Sequence, residues 1–187
     1  MSKTIIAITG LNGSGKSTVA SYLRDEKGFI HLSFRDFIIE KLDELGLEFK
    51  RENMRVLANQ LRKEHGADYV LEQMLNRAKD LDRDVVIESI RTVNEVKFLK
   101  EQGAVLLATT APAELRYERI YERKSETDNV SFEEFLEGEQ RESESSDPDI
   151  QNLPKVVALA DYVLTNNEIE IFKQSVDQLI EDIKKTS

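Results

Sequence analysis

The sequence has 187 residues, and 26 Lys and Arg against 36 Asp and Glu give it a formal net charge of −10. This length suits one domain with one active site, and so acidic a chain would repel nucleic acid and anionic membranes. The sequence holds 0 Cys, which excludes disulfides and thiolate metal sites. Because no apolar run approaches the roughly 20 residues of a membrane helix, we expect a cytoplasmic protein without a membrane span.

Apolar patterns predict five short strands that alternate with helices along the whole chain. The strands are expected at residues 3–9, 29–33, 84–88, 104–109 and 162–165. Helices are expected at residues 17–27, 34–45, around 54–61, 70–78 and 93–99, from 112, from 129 with a capping box at Ser131 and Glu134, and over 169–183. The strands are almost continuously apolar, which is typical of strands buried in a parallel sheet. We therefore predict an α/β fold with a five-stranded parallel sheet, helices on both faces and the first strand at its centre.

A glycine-rich motif lies between the first strand and the first helix. Residues 10–17, Gly-Leu-Asn-Gly-Ser-Gly-Lys-Ser, satisfy the pattern G-x-x-x-x-G-K-[ST] in the strand-to-helix context that it requires. Its glycines allow several backbone N–H groups to converge on one phosphate, and the helix N-terminus adds positive potential. Lys16 would supply a full positive charge for catalysis, and the Ser17 hydroxyl would reach Mg²⁺. We predict ATP and Mg²⁺ as cofactors, with the nucleotide held by Asn12, Gly13, Ser14, Gly15, Lys16, Ser17 and Thr18.

Together with this motif, three further segments resemble the adenylate-kinase-like group of P-loop kinases over essentially the whole chain. They are Val-Ile-Glu-Ser-Ile-Arg at 86–91, Glu-Arg-Ile-Tyr-Glu-Arg at 118–123 and Leu-Ala-Asp-Tyr-Val-Leu-Thr-Asn at 159–166. The group includes nucleoside monophosphate kinases, their archaeal-type uncharacterised relatives and dephospho-CoA kinase. The resemblance implies a single domain over 1–187 with a three-layer P-loop kinase fold. It also implies a helical acceptor-binding insert at about 34–80 and a short lid at about 119–146.

The segment that ends the third strand looks like the acceptor-phosphate motif of these kinases. The resemblance implies that Arg91 grips the acceptor phosphate and takes part in catalysis. Glu88 stands where the family has Asp, and Ser89 stands where it has Gly. A water-mediated contact to Mg²⁺ remains chemically reasonable for Glu88. The alternative is a solvated carboxylate at the end of a strand.

Two arginines in the sixth predicted helix look like the pair that opens the mobile lid. The resemblance implies that Arg119 and Arg123, which their spacing places on one helical face, clamp the transferring phosphoryl group. Arg116 extends that face. Because acidic residues lie among these arginines, ordinary surface ion pairing is an equally open alternative.

The loop after the second strand corresponds to an acceptor-site loop in the family. There the resemblance implies that Arg35 and Asp36 face the acceptor. Ile39 stands where the family has an acceptor-binding arginine, so Arg35, Arg55 or Arg62 would have to substitute, and we include Arg62 among the acceptor-binding residues. Neither His31 nor His65 has a partner at metal-ligand spacing, and both are expected to be structural.

Three functions stay open at this point. The leading one is transfer of the ATP γ-phosphoryl group to the phosphate of a (deoxy)nucleoside monophosphate or a similar small nucleotide. The second is phosphorylation of a hydroxyl, as in dephospho-CoA kinase, with Asp36 as the general base. The third is a nucleotide-binding switch without catalysis, suggested by the departures at Glu88, Ser89 and Ile39. The expected partner is a small-molecule nucleotide, not nucleic acid or a membrane. The sequence does not indicate which oligomeric state the protein adopts.

Overall fold

The computed structural model describes residues 3–66, 68–123, 130–143, 147–148 and 150–186. Along these residues the elements are β1 (Ile5–Gly10), α1 (Lys16–Lys27), β2 (Ile30–Ser33), α2 (Phe34–Glu44), α3 (Arg51–His65), α4 (Tyr69–Lys79), β3 (Val85–Glu88), α5 (Val93–Glu101), β4 (Val105–Thr110), α6 (Ala113–Glu122), α7 (Phe132–Ser143), α8 (Leu153–Ala158), β5 (Tyr162–Thr165) and α9 (Ile169–Thr186). Residues 124–129 and 144–146 of the expected lid lie outside the described part of the chain.

The five strands form one parallel sheet in the order β2-β3-β1-β4-β5. The prediction of an α/β fold with a parallel sheet and a central first strand is therefore confirmed. β1 lies at the centre of the sheet, between β3 and β4, where helices cover both faces, and its sequence is therefore apolar on both faces. Parallel strands bring all their carboxyl ends to one edge, so the residues that follow β1, β3, β4 and β5 meet there.

Helices cover both faces of this sheet and bury two apolar clusters. α1 and α9 pack on one face, with Val19, Leu23, Phe172 and Val176 fully buried against β1 and β4. α2, α4 and α5 pack on the other face, and their buried members include Ile38, Leu42, Val70, Met74 and Leu99. The three layers are those predicted from the alternation of strands and helices. Within the described ranges, no helix combines the length and the apolar character needed to cross a membrane.

Local sequence signals located all the described elements except one short helix, with most of the predicted ends a few residues away from the observed ones. The capping box before α7 is present, because Ser131 N donates to Glu134 Oε2 at 2.7 Å and Glu134 N donates to Ser131 Oγ at 3.2 Å. α8 was not predicted. It has 6 residues, begins at an Asn152 side chain that accepts from Lys155 N at 3.1 Å, and carries proline in its first turn. So short a helix shows no helical period in its apolar residues.

Candidate functional site

The glycine-rich loop between β1 and α1 packs closely against two other segments of the chain. Gly13 has φ of +75°, and a Cβ atom there would lie 2.4 Å from the carbonyl oxygen of Arg116 on α6. Gly15 has φ of +102°, and its Cβ would lie 2.1 Å from Asn166 Nδ2 after β5. Ser14 is buried in the same loop, with its Oγ 2.7 Å from Leu11 O and 2.7 Å from Thr109 Oγ1. The loop conformation therefore depends on glycine at both positions.

We expect Gly13→Ala to lower the free energy of unfolding by about 1–3 kcal/mol more than Gly28→Ala does. Both glycines have φ of +75°, but a Cβ at Gly28 meets nothing within 4 Å. Each substitution brings the left-handed penalty of about 1–2 kcal/mol, and only the first adds overpacking against backbone. Urea denaturation of the two variants measures the difference. Equal losses would show that α6 yields to the added methyl group.

Lys16 lies at the start of α1 and folds back over the loop. Its Nζ donates to Gly10 O at 2.8 Å and to Leu11 O at 3.0 Å. Burial first, and the nearby positive charge of Arg91 second, lower the pKa of Lys16 to about 8, whereas Glu88 opposes the shift. For this ammonium group, burial and the neighbouring arginines together outweigh the attraction of Glu88. The site is therefore electrostatically prepared for an anionic ligand.

Ser17 and Glu88 meet at the carboxyl edge of the sheet. Ser17 Oγ donates to Glu88 Oε1 at 2.6 Å, and His31 Nε2 lies 3.0 Å from Glu88 Oε2. The Glu88 side chain is only 13% exposed, so the reading of a solvated carboxylate is wrong. Burial opposes ionisation, but the hydrogen bonds from His31 and Ser17 outweigh it and hold the pKa of Glu88 below its usual range. Glu88 is thus an ionised carboxylate fixed beside the predicted phosphate site.

These two side chains suit Mg²⁺. Hydroxyl and carboxylate oxygens are hard ligands of the kind that this ion prefers, and both are brought to one point here. The described part of the chain contains no group of three or more His, Cys, Asp and Glu side chains arranged to hold a metal ion by themselves. This donor set fits an ion that takes most of its ligands from water and from nucleotide phosphates, which is how Mg²⁺ is usually held.

The turn after β3 holds Arg91 at the same edge. Ser89 has φ of +73°, the left-handed conformation that favours the glycine expected at this position. Ile90 then binds back to β1, with its N–H donating to Ile8 O at 3.1 Å and its carbonyl accepting from Thr9 Oγ1 at 2.8 Å. This anchoring directs the chain so that Arg91 comes close enough to Lys16 to influence its pKa.

Two further contacts fix Arg91 itself. Its NH1 donates to Gln151 Oε1 at 3.0 Å, and its backbone N–H donates to Glu95 Oε2 at 2.8 Å. Burial raises the pKa of Glu95, against the backbone hydrogen bonds from Arg91 and Thr92, which lower it. Arg62 is also close enough to lower the pKa of Glu95. The structure therefore gathers Arg62 and Arg91, two of the predicted acceptor residues, around one buried carboxyl group.

The other two predicted acceptor residues lie at the outer side of α2. Arg35 is exposed, with its guanidinium 5.6 Å from the centre of the Phe49 ring. Asp36 is exposed in the first turn, and its backbone N–H donates to Ser33 Oγ at 3.2 Å. Asp36 also lines a groove of about 490 Å³, together with Ile39, Glu40, Leu42, Asp43, Leu47 and Phe49. Here the lining is acidic and apolar, in contrast to the cationic surroundings of Lys16.

Arg116 and Arg119 on α6, and Arg123 just after it, have three different environments. Arg116 is 4% exposed; it donates to Ala111 O at 3.0 Å and to Asn12 O at 3.3 Å, and its NH2 lies 2.9 Å from Glu139 Oε2. The surface ion pair that sequence reasoning left open is therefore wrong for Arg116, which joins α6 to α7 and to the glycine-rich loop. The reason is tertiary, because its carboxylate partner lies on another helix.

Arg119 and Arg123 contact the site differently. Arg119 donates to Gly13 O at 3.4 Å and to Asn166 O at 3.0 Å, which places it beside the turn after β5. Arg123 is exposed at the end of α6 and lies near enough to lower the pKa of Lys16. Both lie around the loop, and their part in phosphoryl transfer stays a prediction.

Sequence reasoning did not assign Asn166 or Gln151. Asn166 is 3% exposed, and its Nδ2 donates to Ser14 O at 3.3 Å, so this side chain helps to hold the glycine-rich loop in place. It belongs to the segment 159–166, which carries part of the family resemblance but was given no side-chain role from the sequence. Gln151 approaches Arg91 from the chain before α8. No sequence signal links residues 60 positions apart in this way.

The loop, the parallel sheet and the helices agree with comparisons to known proteins. Residues 6–147 match the family described as AAA domain. A UPF0200 protein of Methanococcus vannielii is 32% identical over 185 residues, covering 96% of this chain and 96% of that protein. A UPF0200 protein of Thermococcus kodakarensis is 29% identical over 187 residues, covering 96% of this chain and 97% of its own.

Solved structures of kinases share the fold. A shikimate kinase from Bacteroides thetaiotaomicron has a TM-score of 0.58 at 13% identity, over 95% of this chain and 98% of that one. A dephospho-CoA kinase from Campylobacter jejuni has a TM-score of 0.56 at 20% identity, over 97% of each chain. At such identities the likeness concerns the fold alone. The protein is of the P-loop kinase-like class. More narrowly, the chain belongs to the AAA domain family and to the UPF0200 proteins.

Proposed function

We propose that this protein transfers the γ-phosphoryl group of ATP, with Mg²⁺, to the phosphate of a nucleoside monophosphate or a similar small nucleotide. The observation that carries the proposal is the convergence of three positive groups on the glycine-rich loop: Lys16 lies on it, and Arg91 and Arg123 are close enough to alter its pKa. Positive groups on several sides of a transferring phosphoryl group stabilise the charge that it carries. A reaction between two phosphates needs this arrangement more than it needs a base.

Each residue has a role in this proposal. The glycine-rich loop and Lys16 hold the donor phosphates, with Arg119 beside the nucleotide at the turn after β5. Ser17 and Glu88 would hold Mg²⁺, which would offset the negative charge of the phosphates. Arg91, aided by Arg62, receives the acceptor phosphate. In domain terms, α2–α4 form the acceptor-binding insert and α6–α7 the described part of the lid.

A hydroxyl acceptor is the second candidate. Asp36 favours it, because this exposed carboxylate lines the groove beside α2 and could accept a proton. The structural neighbours called shikimate kinase and dephospho-CoA kinase share only the fold at their level of identity. Arg91 favours the phosphate acceptor, because an arginine close to Lys16 suits an acceptor that carries a phosphate.

A coupled assay of ADP release tests the proposal. The purified protein is given Mg²⁺ and ATP with each ribo- and deoxynucleoside monophosphate in turn, and with dephospho-CoA. ADP release that depends on a monophosphate supports the proposal. Release with dephospho-CoA alone would favour the hydroxyl candidate. If no compound in the set stimulates ADP release, the result would favour the nucleotide-binding switch.

The pKa of Lys16 predicts how ATP affinity depends on pH. In the free protein this pKa is about 8, and phosphates beside the ammonium raise it because they favour the charged form. Below pH 8 the group is already protonated, so affinity is nearly constant. Above pH 8 binding must take up a proton, so affinity falls by up to about tenfold per pH unit. Calorimetry in buffers of different ionisation enthalpy measures that uptake.

The matched control for this pH dependence is Lys16→Arg. Arginine stays protonated throughout this pH range, so its Mg²⁺-ATP affinity should stay level between pH 7.5 and 9.5 while any titration of ATP itself is shared by both proteins. A wild-type affinity as level as that of the control would contradict the assignment of Lys16.

A further inference from the structure

His31 is joined to the site by a hydrogen bond that neither the motif nor the proposed reaction requires. Its Nε2 lies 3.0 Å from Glu88 Oε2, and the two side chains are 15% and 13% exposed. An ionised carboxylate can only accept hydrogen bonds, so His31 Nε2 carries the proton that is shared. Among the hydrogen bonds that the structure describes for Glu88, the other comes from Ser17 to Oε1. The two carboxylate oxygens are therefore divided between two fixed donors.

The β2–β3 pairing explains why His31 reaches Glu88. Ser33 is the register partner of Glu88, and His31 is the register partner of Val86. Side chains two positions apart along a strand lie on the same face of the sheet. His31 is consequently the diagonal neighbour of Glu88, at a separation that a long polar side chain can span. The contact is built into the sheet and does not depend on a loop.

Glutamate at this position needs such a contact. Glu88 stands where the related kinases have aspartate, and its extra methylene adds a rotatable bond between backbone and carboxylate. A glutamate side chain loses rotamer entropy when it is held in one conformation. A hydrogen bond to one carboxylate oxygen selects a conformation before any ligand binds. In the selected conformation, Oε1 of Glu88 accepts the hydrogen bond from the Ser17 hydroxyl.

We propose that His31 is a positioning residue for Glu88, and that it sets how tightly the nucleotide-loaded protein holds Mg²⁺. This inference rests on the proposed function, because it takes Ser17 and Glu88 as the side chains that face the ion. Partners that orient a metal-facing carboxylate typically contribute 10- to 100-fold to metal affinity. His31 acts through Glu88 alone and touches neither nucleotide nor acceptor in this assignment.

The test measures binding, without turnover. ADP affinity is determined by calorimetry over a series of Mg²⁺ concentrations and again in EDTA, which yields the Mg²⁺ concentration that half-saturates the ADP complex. For His31→Phe and His31→Leu, which lack a donor, we expect that concentration to rise about tenfold or more. Two variants of different shape guard against a packing defect in one of them. Their ADP affinity in EDTA should match the wild type within about twofold, since Glu88 then has no ion to face.

Two matched variants complete the design. His31→Gln retains an N–H donor and should keep the half-saturating Mg²⁺ concentration within about threefold of the wild-type value, because its amide can donate to Glu88 as the imidazole does. His65→Gln changes the other histidine, which lies on α3 and stacks on Tyr69 with ring centres 4.3 Å apart. It should leave the Mg²⁺ dependence unchanged.

The outcomes separate this inference from the proposed function. Wild-type Mg²⁺ dependence in both His31→Phe and His31→Leu would overturn the role of His31 alone. Equal loss of ADP affinity in Mg²⁺ and in EDTA would also overturn it, since that result marks a general packing role. A wild-type protein whose ADP affinity ignores Mg²⁺ would instead refute the metal assignment of the proposed function, and the role of His31 with it.

Discussion

Lys16→Met is expected to lower kcat/KM for phosphoryl transfer by about 10²–10³-fold or more while the fold stays intact. Methionine keeps most of the apolar stem of lysine and removes only the charge. In the proposed reaction that charge faces the phosphates in the transition state, where removal of one preorganised donor typically has an effect of this size. ADP release in the coupled assay gives the rate, and calorimetry gives the accompanying loss of ATP affinity.

The stability of the Lys16→Met variant should change far less than its activity. Because the folded-state pKa of Lys16 is lowered to about 8, the folded protein disfavours this charge relative to the unfolded chain at pH 7. The variant loses the hydrogen bonds to Gly10 and Leu11, each a modest net contribution of about 1 kcal/mol, and regains the cost of burying an ammonium group. We expect its free energy of unfolding in urea to lie within about 1 kcal/mol of the wild-type value.

Lys27→Met is the matched control for the charge change. Lys27 lies on the same helix and pairs with Asp177 at 2.7 Å, away from the glycine-rich loop. The Lys27→Met variant should retain full activity. A Lys16→Met protein that kept more than about a tenth of wild-type kcat/KM would contradict the role given to this ammonium group, because a preorganised donor is worth at least 10²-fold.

Arg91→Ala is expected to lower kcat/KM toward a nucleoside monophosphate by about 10²–10³-fold. Charge-assisted contacts between arginine and phosphate are among the strongest hydrogen bonds in proteins, and truncating one partner of such a buried pair costs about 2–5 kcal/mol. ATP affinity measured without acceptor should fall much less than kcat/KM does, because Arg91 acts on the region of Lys16 only through space, whereas the proposal places the acceptor phosphate in direct contact with Arg91. Steady-state kinetics against acceptor concentration give the effect.

Asp36→Asn distinguishes the two candidate acceptors. If the acceptor is a phosphate, this variant should keep activity within about tenfold, because no general base is needed. The control for Arg91→Ala is Arg24→Ala, which also removes one positive charge. Arg24 is exposed and pairs with Asp25 at 2.7 Å. An active Arg91→Ala protein together with an inactive Asp36→Asn protein would refute the phosphate acceptor and favour a hydroxyl.

Predictions from local sequence were accurate where short-range chemistry decides the outcome. The fifth strand, Tyr162–Thr165, has the bounds predicted from its residues, and the capping box before α7 forms as its spacing indicates. At Ser89, by contrast, the conformational preference of the residue did not decide the local structure. The chain keeps the left-handed turn that a glycine would have favoured, since neighbouring strands hold Ile90 in place. Backbone context there outweighs the preference of one residue.

Long side chains were harder to place, because their partners come from distant parts of the chain. Arg116 and Arg123 look equivalent on a helical wheel, but α7 supplies Glu139 to the first and buries it. Glu88 looks like an exposed acid at a strand end until β2 brings His31 beside it and α1 brings Ser17. No spacing rule covers these pairs, since each depends on how two elements pack.

The sequence by itself determined the α/β alternation, the central first strand and the phosphate-binding loop, because strand burial, helix caps and glycine conformations are encoded within a few consecutive residues. Only the tertiary structure decided which charges meet. It brought Lys16, Glu88 and Arg91 to one edge of the sheet and placed Arg119 against Asn166. It left Arg35 exposed over the Phe49 ring and Asp36 on a separate groove. The physical reason is that electrostatic and hydrogen-bond energies depend on distances in space, and those distances are fixed when parallel strands align their ends.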